Sequence, residues 1–165
     1  MAMTLDAGGL RVALPDRWEG EVRTARGLDA DATVRRRAQV GTAPTVAPTA
    51  HLANFALPPD RGDFGSGAVE TMTPSGAFVA LVEYGEREAG TALFAREGLP
   101  RRLHARDFHA RALQRTVRGQ CGLQVFATEA GRAFSLYVVL GRRDHLDDLV
   151  DEVNAVLASI HVGPR

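Results

Sequence analysis

The sequence predicts a single α+β domain, an antiparallel β-sheet with both faces buried and a C-terminal helix lying over one of them. Three observations point there. The segments 123–128 (LQVFAT) and 133–140 (AFSLYVVL) flank Glu129-Ala130-Gly131-Arg132, a connector short enough for an antiparallel hairpin. The run 76–84 (GAFVALVEY) is apolar at successive positions, as expected of an interior strand covered on each side. Near the end, Leu146, Leu149, Val150, Val153, Val156, Leu157 and Ile160 recur at three and four residues, which makes one apolar stripe on a helix. With 165 residues the chain can bury one real core and is too short for two comfortable domains, so 1–165 is read as one unit.

In chain order, 9–14 (GLRVAL) alternates with period two and stops at Pro15-Asp16-Arg17, a strand ending in a turn. Trp18 opens a second strand through Val22. From 25 to 40 the pattern is weak, and Thr33-Val34-Arg35-Arg36-Arg37 suits an exposed strand or a frayed helix equally. Residues 41–50 (GTAPTVAPTA) are small, proline-bearing and uncharged, a flexible surface loop within the domain. A short strand at 51–57 is closed by Pro58-Pro59. Residues 60–67 form a turn-rich loop, and 68–72 one or two helical turns before Pro74. In the hairpin's second strand Phe134, Leu136, Val138 and Leu140 share one face, with Tyr137 and Val139 on the other. Asp144 is placed to cap the final helix, and Asp147, Asp148, Asp151 and Glu152 crowd its first two turns, where the nearest meet the positive end of its dipole. His161-Val162 reads as extended before Gly163-Pro164.

Composition narrows the chemistry. All 20 positive charges are arginine, and no lysine is present. A Schiff base, a pyridoxal-phosphate anchor and a P-loop lysine each require an ε-amine, so all three are excluded. A coding bias explains the choice of arginine, since the chain is rich in Ala, Arg and Gly and holds one isoleucine, Ile160. Twenty acidic groups balance the arginines to a formal charge of zero, and a nucleic-acid partner is not expected without a basic excess. Cys121 is the only cysteine, so no intramolecular disulfide or cysteine-based metal cluster can form. The first ten residues lack a signal-peptide pattern and no stretch approaches a membrane span, which makes a cytoplasmic location the default expectation.

The early strand leading to Leu14-Pro15-Asp16-Arg17-Trp18, the hairpin Gly131-Arg132-Ala133-Phe134-Ser135-Leu136-Tyr137-Val138-Val139-Leu140-Gly141, and the closing Leu157-Ala158-Ser159-Ile160-His161-Val162 together resemble the PsbP-like fold. That family includes extrinsic photosystem subunits, a Ran-binding nuclear-transport factor, and small actinobacterial proteins and lipoproteins of unknown function. The resemblance implies an antiparallel sheet sandwiched between helical layers. It also implies a binding or assembly role, with no catalytic set to carry over. The chain departs from the lipoprotein relatives in lacking a signal peptide and a lipidation cysteine.

The strongest candidate site is the stretch 100–120, where Arg101, Arg102, Arg106, Arg111, Arg115 and Arg118 interleave with His104, His109, Leu103, Phe108 and Leu113. Converging guanidinium groups would grip a phosphate or an acidic protein surface, and Arg111, Arg115 and Arg118 share a face if the stretch is helical. The competing reading is a solvated connector whose arginines pair with nearby carboxylates. His104, Asp107 and His109 include metal-ligating types, but the spacing matches no metal motif and no cofactor is expected. Cys121, between glycines and near positive charge, is either a small buried hydrophobe or a thiol with His109 or His145 as its base. Arg61-Gly62-Asp63 and Asp63-Phe64-Gly65 match short motifs by accident, and Gly65 to Gly67 offer at most a weak anion site. Trp18 is either a core residue or an exposed partner anchor. The expected function is therefore a non-enzymatic interaction or assembly module with an unknown protein partner, contacting it through Arg101 to Arg118. The alternative is a small-ligand binder or enzyme with a pocket near Cys121 and His109. The sequence leaves the oligomeric state open.

Overall fold

The computed structural model describes residues 2–24 and 47–164. Among the described residues eight strands form two antiparallel sheets. The smaller joins β1 (Met3–Ala7), β2 (Leu10–Leu14) and β8 (His161–Val162) in the order β1-β2-β8. The larger joins β3 (Glu19–Thr24), β4 (Pro48–Ala53), β5 (Ala77–Glu83), β6 (Cys121–Glu129) and β7 (Arg132–Leu140) in the order β3-β4-β5-β7-β6. One α-helix, α1 (Asp147–Ser159), and five single-turn 3-10 helices complete the described residues. No helix among them is long and apolar enough to cross a membrane.

The large sheet follows from its apolar strands. β5 and β7 are buried along their whole length and pair in the register Val79↔Val138 at the centre. Alternation then sorts the side chains onto two faces. Ala50, Leu52, Val79, Leu81, Leu136, Val138 and Leu140 lie on the first, against Leu10, Val12 and Leu14 of β2 and the apolar stripe of α1. Ala53, Phe78, Ala80, Val82, Tyr137 and Val139 lie on the second.

Cover of that second face corrects the expected architecture. Instead of a helical layer, irregular chain lies over it, with Phe55, Leu57, Phe64, Val69, Met72 and Leu113 packed inward. The described residues are thus mostly β-sheet with a single helix, and among them no helical layers enclose the sheet. Burial of both faces demanded cover, and loop side chains suffice to exclude water from a strip this narrow. The punctuated segment around Pro58, Pro59 and Pro74 has no helical period with which to build a helix.

Several local expectations also change. Met3–Ala7 is a strand that pairs with β2 through Gly8 and Gly9, both at positive φ. Pro48, Thr49 and Ala50 begin β4, so the last part of the expected 41–50 loop is strand. Positions 25–46, including 41–46 of that loop, lie outside the described residues. The hairpin is tighter than its four-residue connector suggested, turning on Ala130 and Gly131 alone, at φ 53° and 72°. Asp144 does not cap α1. Leu146 occupies that position without a side-chain cap, after His145 at φ 51°.

Two polar joints lock the layers together. The Arg132 guanidinium meets Glu83 with two bonds, from Nε at 2.9 Å and Nη2 at 2.7 Å. Its remaining donors reach the carbonyls of Gly163 (3.0 Å) and Gly8 (2.8 Å), which brings the β1–β2 turn and the end of β8 to the large sheet. Gly9 is required beside it, since a Cβ there would stand 2.6 Å from Arg132 Nη1. The second joint is on the β3–β4 side. Arg61, with its side chain 1% exposed, donates from Nε to His51 Nδ1 at 2.8 Å and forms an ion pair with Glu21.

Candidate interaction site

The arginine-rich stretch is not a helix. Its ordered parts are two 3-10 turns, Ala105–Asp107 and Ala110–Ala112, joined by extended residues. Arg111, Arg115 and Arg118 therefore do not form one helical face. Arg115 turns to Glu70, 3.4 Å away, and Arg101 forms an ion pair with Glu129 while donating to Leu99 O at 3.1 Å. Those two arginines serve the protein's own surface. Arg102, Arg106, Arg111 and Arg118 are exposed and pair with no carboxylate among the described residues.

What anchors the stretch is apolar. Leu103 and Phe108 are buried in the main core, and Leu113 packs on the second face. Two backbone bonds with Gly122, His109 N to Gly122 O at 2.9 Å and Gly122 N to His109 O at 3.0 Å, fasten the stretch to the edge of β6. Gly122 permits the approach, because a Cβ there would meet Leu113 at 2.8 Å and the Val138 carbonyl at 2.9 Å.

A concavity lies on each side of His109. The larger, about 760 Å³ and broadly open, is lined by Phe108, His109, Ala110, Arg111, Ala112, Cys121 and Arg143. The smaller, about 360 Å³, is lined by Arg96, Pro100, Leu103, Arg106, Asp107, His109, Leu123 and Val125. Together they place Arg96, Arg106, Arg111 and Arg143 around an apolar floor, and none of the four has a carboxylate partner among the described residues. The arrangement can hold carboxylates or another anion at its rim while apolar groups settle between. Arg96 and Arg143 lie just outside the stretch that sequence composition singled out. Both belong to the same rim because β6 and the β7–α1 connection bring them there.

The other candidates resolve as follows. Trp18 is 5% exposed within the main core, so it cannot anchor a partner. His104 is exposed, and its backbone N–H donates to Asp107 Oδ2 at 2.8 Å, closing a turn. Among the described residues no group of three or more His, Cys, Asp or Glu side chains could hold a metal ion. Cys121 is 2% exposed, with burial pushing its thiol up to about 11 against a smaller opposing pull from Arg143. Its Sγ donates to the Arg142 carbonyl at 3.2 Å. The thiol is therefore protonated at neutral pH and is poorly suited to act as a nucleophile.

His51, which sequence reading treated only as the start of a strand, is the most perturbed histidine. Burial is the main cause, and it lowers the pKa to about 4. Because Arg61 donates to Nδ1, the ring's own proton sits on Nε2 and is donated to Asp63 O at 2.8 Å. Both ring nitrogens are thus occupied in holding the 54–67 loop. Comparison of the chain with protein-family models, curated proteins and solved structures returns no match.

Proposed function

We propose that this chain is a non-enzymatic protein-interaction module that receives an acidic partner on the rim formed by Arg96, Arg106, Arg111 and Arg143. The observation that carries the reading is the combination, in two concavities that share His109, of four guanidinium groups without a carboxylate partner among the described residues and the apolar side chains of Leu103, Phe108, Leu123 and Val125. An acidic protein segment complements both parts, charge at the rim and apolar area at the floor.

Fluorescence anisotropy with a labelled peptide of alternating Glu and Val tests this. Binding is expected at low ionic strength, weakening as salt screens the rim, while the Lys-Val counterpart does not bind. Equal binding of both peptides, or of neither, contradicts the proposal.

A second reading is a small-anion site in the larger concavity, favoured by Arg111 and Arg143 lining the same hollow as His109. It predicts a thermal shift with inorganic phosphate or citrate that Arg111→Ala abolishes. A peptide-binding module shows no such shift at millimolar anion.

A further inference from the structure

We infer that the outer edge of β6 between Gly122 and Thr128 takes up a short acidic segment of the partner protein as an added β-strand. This rests on the interaction-module reading and specifies how that partner docks. Among the described residues β6 is an edge strand of the large sheet, with β7 as its one strand partner and isolated bridges at Gly122 and Thr128 on the outer side. At one end Gly122 exchanges both backbone bonds with His109. At the other, Thr128 N donates to Arg96 O and Thr128 O accepts from Gly98 N, each at 2.8 Å. Both residues thus aim their N–H and C=O away from β7. Period two in an antiparallel ladder aims those of Gln124 and Phe126 the same way. Among the described residues no backbone group answers them. Six residue steps, about 20 Å of strand, are closed at each end and open in the middle.

The gap has a cause. The chain between Arg96 and His109 could have continued along the edge, but it bends toward α1. There Asn154 imitates a strand partner, its Oδ1 accepting from Leu103 N at 2.7 Å and its Nδ2 donating to Leu103 O at 2.9 Å. With Leu99, Leu103 and Phe108 buried in the core, the detour is held at three further points. The space left between detour and edge is the smaller concavity, with Leu123, Val125, Leu103 and Pro100 as its apolar lining. An incoming strand would gain four backbone bonds from Gln124 and Phe126 and set alternate side chains over Leu123 and Val125.

Charge selects the occupant. Arg96 and Arg106 are exposed at the rim, and among the described residues lining the concavity they outnumber its one carboxylate, Asp107, which is turned to His104 N. A second copy pairing edge to edge about a two-fold axis would bring two sets of these arginines into one interface with no added carboxylate partner, and like charges repel. An acidic segment of about four residues, with apolar side chains between the acids, fits instead.

The test uses a blocked Glu-Val-Glu-Val-Glu peptide and two N-methylated forms, one methylated on the odd residues and one on the even. Backbone amide exchange of the protein is followed by NMR. Strand addition predicts at least tenfold slower exchange at Gln124 and Phe126 on saturation, and at least tenfold weaker binding of one methylated form. Suppose the unmodified peptide binds and Arg96→Ala with Arg106→Ala weakens it, yet both methylated forms bind equally and the two amides exchange unchanged. Strand addition is then overturned while the interaction-module reading stands. Failure of every peptide to bind overturns both. Protection of Gln124 and Phe126 without peptide, together with a dimer in sedimentation, assigns the edge to a second copy and overturns the proposal.

Discussion

Arg132 and the rim arginines are the same residue type put to opposite uses. Arg132 is buried over Phe134, its charge 5.3 Å from the ring centre, and its donors meet one carboxylate and two carbonyls. Arg96, Arg106 and Arg111 stand in solvent around an apolar hollow, without a carboxylate of their own. The difference lies in what surrounds each group. A planar guanidinium with five fixed donors can join β5, β7, the β1–β2 turn and the end of β8 at one point, which a lysine ammonium could not. Where no carboxylate is built beside it, the same group keeps its charge available to a partner, even where, as in Arg96, Nε donates to a carbonyl.

The comparison breaks most visibly at the buried joint. Arg132→Met removes the guanidinium from the Glu83 carboxylate, whose side chain is wholly enclosed, and with it the bonds to Gly8 and Gly163, and the expected loss is about 3–5 kcal/mol in chemical denaturation. Adding Glu83→Leu should recover part of that loss, because the desolvated charge is removed while the bonds to Gly8 and Gly163 stay missing. A single-variant loss below about 1 kcal/mol would mean that Arg132 does not join the sheets.

Next in size is a pH effect at the other joint. The folded pKa of His51, about 4, lies below its unfolded value of about 6.5. Below pH 6.5 the unfolded chain takes up a proton that the folded chain refuses. Stability is therefore complete above pH 6.5 and falls toward pH 4, by about 3 kcal/mol in all at 1.4 kcal/mol per unit. His51→Gln should flatten this window in denaturation series. Glu21, held below the usual carboxylate range first by its bond from Arg61, adds loss as pH falls through its unfolded value of 4.5, overlapping the low end of this window.

Asn154→Ala should cost about 2 kcal/mol, since the N–H and C=O of Leu103 lose their partners in a half-buried position. It should also loosen the detour and weaken peptide binding, whereas Arg132→Met, at temperatures where it remains folded, should leave binding intact. The rim arginines should shift stability least, within about 0.5 kcal/mol each.

These contrasts mark how far the sequence could be read. The interior strands β5 and β7, the hairpin and the stripe of α1 declare themselves because burial imposes a period on neighbouring residues. Met3–Ala7 carried a signal too, in Gly8-Gly9 set between short alternating segments. The cover of the second face was not legible, because Phe55, Phe64 and Leu113 reach it from irregular chain with no period to detect. Nor could composition separate Arg132 from Arg111. One is defined by Glu83, 49 residues away, and the other by Arg143 across a fold-made hollow. The cluster at 100–120 overlaps the proposed rim at Arg106 and Arg111. It included Arg101 and Arg115, which are committed to Glu129 and Glu70, and omitted Arg96 and Arg143.

The most direct measurement is a pair of numbers on one variant. Arg96, Arg106, Arg111 and Arg143 are changed together to Gln, and both the denaturation midpoint and the affinity for the Glu-Val peptide are recorded. A nearly unchanged midpoint with at least a tenfold loss of affinity is the predicted result. Peptide affinity equal to that of the parent chain would contradict the separation of structural from available arginines on which the account rests.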